Sequence, residues 1–261
     1  MDWNKTKTIF IITFLILDFF LAYQFIQKQS SSRLAIMLEA TIEEQLEANG
    51  ITYVELPKEI TKATYLSGKS KIFTREETGK LVNQEVVISS STTLGASFIE
   101  PILLVNPKDP YLVTEFIKKY IISGQKYTYW KFDEKERVIT LFQSYGNKTI
   151  YKNVSSMLLL YLNESNEVIS YQQTMLDDLE GYEQKQEIIP AIRAIETLFN
   201  KSHLKPGDHV TKVELGYYAL VQFTASQVLT PTWHIVVNGK EDYFVNAFEG
   251  QVIVEENKIV E

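Results

Sequence analysis

The sequence predicts an α+β protein: a single N-terminal transmembrane helix followed by two domains of antiparallel sheets with packed helices. Three observations predict it. Residues 9–26 form an apolar run broken only by Thr13, Asp18, Tyr23 and Gln24. Segments rich in aromatic and β-branched residues, separated by turn chemistry, fill much of 127–175 and 212–254. Among them lie stretches whose apolar residues recur at helical spacing.

The anchor comes first. At 1.5 Å per residue, a helix over 9–26 is about 27 Å long, close to the ~30 Å hydrocarbon core of a bilayer. Thirteen of its residues are Ile, Leu or Phe, each contributing about −0.3 to −0.6 kcal/mol on the insertion scale. Asp18, near the midpoint, costs roughly 2.5–3.5 kcal/mol. The apolar sum, on the order of −4 to −8 kcal/mol, outweighs it. Lys5 and Lys7 before the run nearly balance Lys28 and Arg33 after it. Orientation is therefore read from the short polar start and the long polar body, which fit a signal anchor with residues 1–8 in the cytoplasm. A cleaved signal peptide is the rival reading. The run exceeds an h-region of about 7–15 residues, and no small-x-small site follows closely, Ser30 and Ser32 being nearest.

An ionisable residue at mid-bilayer is a functional-site hypothesis that needs a partner. Ile11, Phe14, Ala22 and Phe25 share a helical face with Asp18 at spacings of three or four. Ile11, Phe14, Asp18, Ala22 and Phe25 are therefore the candidate face for another membrane helix. The bland alternative is an aspartate that meets only lipid.

Two domains are expected after the anchor, at 33–145 and 146–261. Ser30 to Ser32 offer an N-cap and Gly50 a C-terminal stop, with Leu34, Met37, Leu38, Ile42 and Leu46 on one face between them. Strands are expected at 51–56, 85–88 and 98–105. Asp109-Pro110 caps a helix whose apolar face is Val113, Phe116, Ile117, Tyr120 and Ile121, and Gly124 ends it. A meander follows at 127–132, 138–143, 149–153, 157–162 and 168–175. Leu158-Leu159-Leu160 suggests burial on both faces, with a helix over that sheet. A further helix has Pro190 in its first turn, with Ile192, Ile195, Leu198 and Phe199 as its core face. Strands at 212–218, 233–237, 243–247 and 251–254 close the chain, with Asn238-Gly239 as a hairpin turn.

The net charge is −7. The first 33 residues hold four basic and two acidic side chains, so the body is more acidic still. That argues against nucleic acid and against lying on anionic lipid. There is no cysteine, which excludes disulfides, thiolate metal sites and cysteine nucleophiles. Asn-x-Ser/Thr triplets occur at Asn147, Asn153, Asn163 and Asn200, a pattern common by chance. His203 and His209 are separated by Pro206-Gly207, and His234 follows Trp233 in an alternating strand, so no metal site is expected. No nucleophile elbow, phosphate loop or zincin motif occurs. The acidic run Asp177, Asp178, Glu180 and Glu183 lacks the ligand pattern of an EF-hand and reads as a solvated loop or a helix start. No catalytic residue, metal or cofactor is expected.

A set of short stretches stands out together: Met1-Asp2-Trp3, Lys5-Thr6-Lys7-Thr8-Ile9-Phe10 and Phe14-Leu15-Ile16-Leu17, then Tyr171-Gln172-Gln173, Leu215-Gly216-Tyr217-Tyr218, Pro231-Thr232-Trp233 and residues 243–250. By these the chain resembles the YycI (WalI) family of Gram-positive two-component regulatory proteins. The resemblance implies a single-pass cell-membrane protein with an extracytoplasmic body similar to YycH domains. It also implies action with a YycH-like accessory protein on the essential YycG/WalK sensor kinase that controls cell-wall metabolism, with the membrane helices involved. Where the family's membrane motif has Asn, this chain has Asp18. The final stretch also looks like PepSY-type modules, which suggests the alternative: an extracytoplasmic binding or inhibitory module for an enzyme or cell-wall component.

Overall fold

The computed structural model describes residues 7, 11, 13–15, 17–21, 41–57, 60–220 and 226–254. The chain divides into two compact units, Met1–Asn49 and Gly50–Glu261. In the first, the described positions from Lys7 to Leu21 are helical. Helix α1 (Ile42–Ala48) opens on a reciprocal cap. The Thr41 N–H donates to Glu44 Oε2 at 3.0 Å, and the Glu44 N–H donates to Thr41 Oγ1 at 3.3 Å. Ile42 and Leu46 are buried, while Glu43 and Glu47 face water. The expected cap at Ser30 to Ser32 and the apolar positions 34, 37 and 38 lie outside the described residues. Gly50, at φ +66°, supplies the left-handed stop.

The second unit is a mostly antiparallel α+β body in two connected sheets. The first sheet has the order β4 (Gln84–Ser90), β5 (Thr93–Leu103), β10 (Glu167–Gln173), β9 (Met157–Leu162), β7 (Val138–Tyr145) and β6 (Tyr127–Asp133). Helix α3 (Pro110–Tyr120) covers one face. Asp109 accepts from the Tyr111 N–H at 2.9 Å, and Pro110 fits the first turn because its missing N–H has no helical partner there. Val113, Phe116 and Ile117 then share a core with Leu94, Phe98, Leu158 and Leu160. The helix stops at Tyr120 rather than at Gly124. Gly124 is required for a different reason: a Cβ there would stand 2.0 Å from the Ile117 carbonyl oxygen. Leu159 and Tyr161 point to the opposite face and are half-buried. The three leucines are thus not buried on both faces; period-2 alternation sends the middle one away from α3.

The second sheet contains β1 (Thr52–Tyr53), β13 (His209–Tyr218), β14 (Ser226–Val237), β15 (Glu241–Asn246) and β16 (Val252–Ile253). Helix α4 (Ala191–Asn200) lies against β14, and the Trp233 indole N–H donates to the Ile189 carbonyl at 2.9 Å. Asn238 and Gly239 both have positive φ, as a two-residue hairpin turn requires. The near half of β14 also pairs with β3 (Leu66–Ser70), which pairs with β11 (Leu176–Gly181). Asp177, Asp178 and Glu180 of the acidic run therefore correct to a strand, while Glu183 lies in a bend beyond it. Asp177 meets Lys71 at 3.2 Å and Asp178 meets Lys69 at 3.7 Å. Short pieces complete the body: β2 (Lys62–Ala63) with β12 (Gln186–Glu187), and helix α2 (Arg75–Thr78).

Strand β8 (Lys148–Tyr151) joins the sheets. It leaves β7 through the Gly146-Asn147 turn, pairs back on Ser144 and Tyr145, then runs parallel to β13 at Tyr217 and Tyr218. The expected domain division at residue 146 falls at this turn, and strands from both sides of it share the first sheet. A buried Gln143 adds a second tie. Its amide donates to the Leu176 carbonyl at 2.8 Å and accepts from the Leu176 N–H at 2.7 Å, so one side chain does the work of a strand partner.

Candidate partner-binding surfaces

Ile11, Phe14 and Asp18 stand in helical backbone at spacings of three and four and are exposed, Ile11 by 65% and Phe14 by 60%. Ala22 and Phe25 of the same expected face lie outside the described residues. Among the described residues, no helix is long and apolar enough to cross a membrane.

The body presents a second surface that no sequence motif announces. A groove of about 520 Å³ runs between β6 and β13, floored by the β7–β8 turn. Its walls include Tyr129 and Trp130 of β6, Lys148 and Tyr151 of β8, and Lys212 and Glu214 of β13, with Pro57 and Ile60 beside them. Trp130 is turned into this region by a bulge between Tyr129 and Lys131. Its ring lies 5.0 Å from His234, which also meets Tyr151 at 4.8 Å and stacks on Phe244 at 5.1 Å. Four strands thus contribute one aromatic cluster. Burial pushes the Tyr151 hydroxyl up from its ordinary pKa, and the Glu214 charge adds to the rise.

His234 lies between Glu214 and Phe244 in the ladder, a register fixed by the Asn238-Gly239 turn. Its Nε2 is 2.6 Å from Asp242 Oδ1, so that nitrogen carries the proton and donates to the carboxylate. With 2% of the residue exposed, it meets rings and a carboxylate and orients β14 against β15. His209 instead pairs with Thr52 Oγ1 at 2.5 Å, and His203 lies beside the Tyr243 ring. The Tyr243 hydroxyl is pushed up to about 12, first by desolvation and then by its hydrogen bond to Glu241. Among the described residues, no three His, Asp or Glu side chains are placed to hold a metal ion.

Sequence periodicity joined Trp233, His234 and the hairpin turn, and these do sit together. It could not join Trp130 and Tyr151 to them. Those residues reach His234 only because β8 crosses from one sheet to the other.

The profile of the YycI protein family matches residues 31–248. The chain belongs to the YycI family. YycI membership points to a regulatory protein of the YycG/WalK two-component system. Among solved structures, the chain is similar to an uncharacterized protein from Eubacterium rectale, with 9% identity, 79% of this chain and 89% of that chain covered, and a TM-score of 0.46. It is also similar to the Bacillus megaterium YpeB C-terminal domain, with 12% identity, coverage of 82% and 95%, and a TM-score of 0.40. At these values neither likeness carries functional weight. No curated protein matches the chain.

Proposed function

We propose that this YycI-family chain is a membrane-anchored regulator of a YycG/WalK-type sensor kinase, acting with a YycH-like accessory protein through its membrane helix. The family match over residues 31–248 carries this reading. The apolar composition of residues 9–26 supports the anchor, with its amino end in the cytoplasm and the body outside. Ile11, Phe14, Asp18, Ala22 and Phe25 form the docking face. Asp18 is its polar centre, because a carboxyl group surrounded by lipid gains most from a hydrogen-bonding helix. The body performs no reaction in this scheme. It holds the anchor in place and presents its own surface to the partners' outer domains.

The test exchanges residues 9–26 for an unrelated apolar span and reads the output of a kinase-controlled promoter. Loss of control is expected, with the body still present at normal level. Asp18→Leu in the native span should reduce co-purification of the kinase and accessory protein roughly 3- to 20-fold, matching an interhelical hydrogen bond of about 0.6–1.7 kcal/mol. Normal control by a body lacking the first 30 residues would sink the reading.

A further inference from the structure

The second sheet has a gap on the groove side of β13. Strand β1 pairs with β13 only at His209 and Val210, and β8 only at Tyr217 and Tyr218. Among the described residues no strand pairs with β13 on that side between these points. The direction of the intervening backbone follows from β14. The Ala247 N–H donates to the Pro231 carbonyl at 2.9 Å, so Pro231 faces β15. Alternation then turns Thr232, His234 and Val236 toward β13, where they oppose Gly216, Glu214 and Lys212 as hydrogen-bonded pairs. Val213 and Leu215 therefore direct their N–H and C=O groups into the groove. Both residues line the groove, and backbone donors and acceptors left outside a ladder are open to an added strand. The facing wall is β6, whose ladder is made with β7 alone among the described strands.

We propose that this groove receives an extended segment of a partner polypeptide, added to β13 as a short parallel strand and carrying a carboxylate toward Lys148. Both neighbours on this side, β1 and β8, run parallel to β13, so a strand completing the row takes the same direction. Four residues opposite Lys212–Leu215 span about 13 Å and satisfy the two donors and two acceptors. Tyr129 and Trp130 form an aromatic wall for the segment's apolar side chains. The charge preference comes from the lysines: Lys212 is already paired with Glu214 at 3.0 Å, whereas Lys148 has no carboxylate partner among the described residues. Only the identity of the partner rests on the regulatory reading; the vacancy in the sheet does not.

The experiment uses the full chain in detergent micelles. Overlapping ten-residue peptides covering the extracytoplasmic sequences of the sensor kinase and the YycH-like protein are added, and backbone hydrogen exchange is followed. An acidic peptide is expected to slow exchange at Val213 and Leu215 at least tenfold. Val213→Pro deletes a groove-facing N–H without removing a β13–β14 bond, and should weaken that peptide at least tenfold. Lys148→Glu should weaken it similarly, and provides the reading if the proline variant melts early. The proposal is overturned if no peptide protects these amides, if basic peptides bind equally, if both folded variants bind normally, or if protection rises with protein concentration alone, which would assign the edge to a second copy. Failure here alongside loss of control in the span exchange removes the groove and leaves the proposed function standing.

Discussion

Lys71 shows how a single cation can pin separate elements. Its Nζ lies 2.8 Å from Glu77 of α2 and 3.2 Å from Asp177 of β11, with the side chain 13% exposed and the charge over the Phe73 ring. The Glu77 hydrogen bond holds the ammonium above its ordinary pKa, and Lys71 holds the Glu77 carboxyl below the ordinary carboxylate range. A depressed carboxylate contributes stability above its unfolded pKa, and that stability is lost as pH falls through the folded value. Glu77→Gln should therefore cost about 1 kcal/mol at pH 7 and progressively less as the pH is lowered through the acid range, read by urea unfolding across that range. Gly216 makes a steric argument at the same scale. A Cβ there would stand 2.3 Å from Tyr151 Cε2 and 2.4 Å from the Thr149 carbonyl oxygen. Gly216→Ala should push β8 off β13 and destabilise the body by roughly 1–3 kcal/mol in a thermal melt.

At the scale of elements, local signals were readable and remote ones were not. Helix α3 announces itself because Asp109, Pro110 and the apolar face lie within one stretch of chain. The β14–β15 hairpin does so because Asn238-Gly239 suits positive φ, and the β6–β7 hairpin because Asp133 accepts from the Lys135 and Glu136 N–H groups. Strands β3 and β11 are different. Lys71 and Asp177, which bind beside that pairing, are 106 residues apart, and Asp177, Asp178 and Glu180 read as solvated because an edge strand tolerates charge. Leu159 misled for a related reason: a continuous apolar run does not say whether its second face is covered. Of the candidate sites, the face proposed for the membrane rests on a stripe at helical spacing in the sequence. The groove is not legible, since its walls come from β6, β8 and β13, with Pro57, Ile60 and the β7–β8 turn, and only strand pairing brings Trp130 near Lys212.

For the whole body, the decisive question is which pieces stand alone. Strands β9 and β10 pair with β7 and β5, and Leu158 and Leu160 are covered by α3. A fragment of residues 146–261 leaves those leucines without their core. It should show no cooperative thermal transition, whereas residues 50–261 should melt in one step by circular dichroism. A cooperative melt of the shorter piece would instead support independent domains at 33–145 and 146–261. The acidic body with lysines at its groove also suits recognition by charge as well as shape.

The pairing of β1 with β13 brings Thr52 to His209, 157 positions later in the chain. Closing so long a loop is entropically unfavourable until the intervening strands have already gathered its ends. The first segment after α1 must therefore wait, unzipped, until β13 has emerged from synthesis. Assembly finishes where it began, at the edge from which the chain leaves toward its amino end.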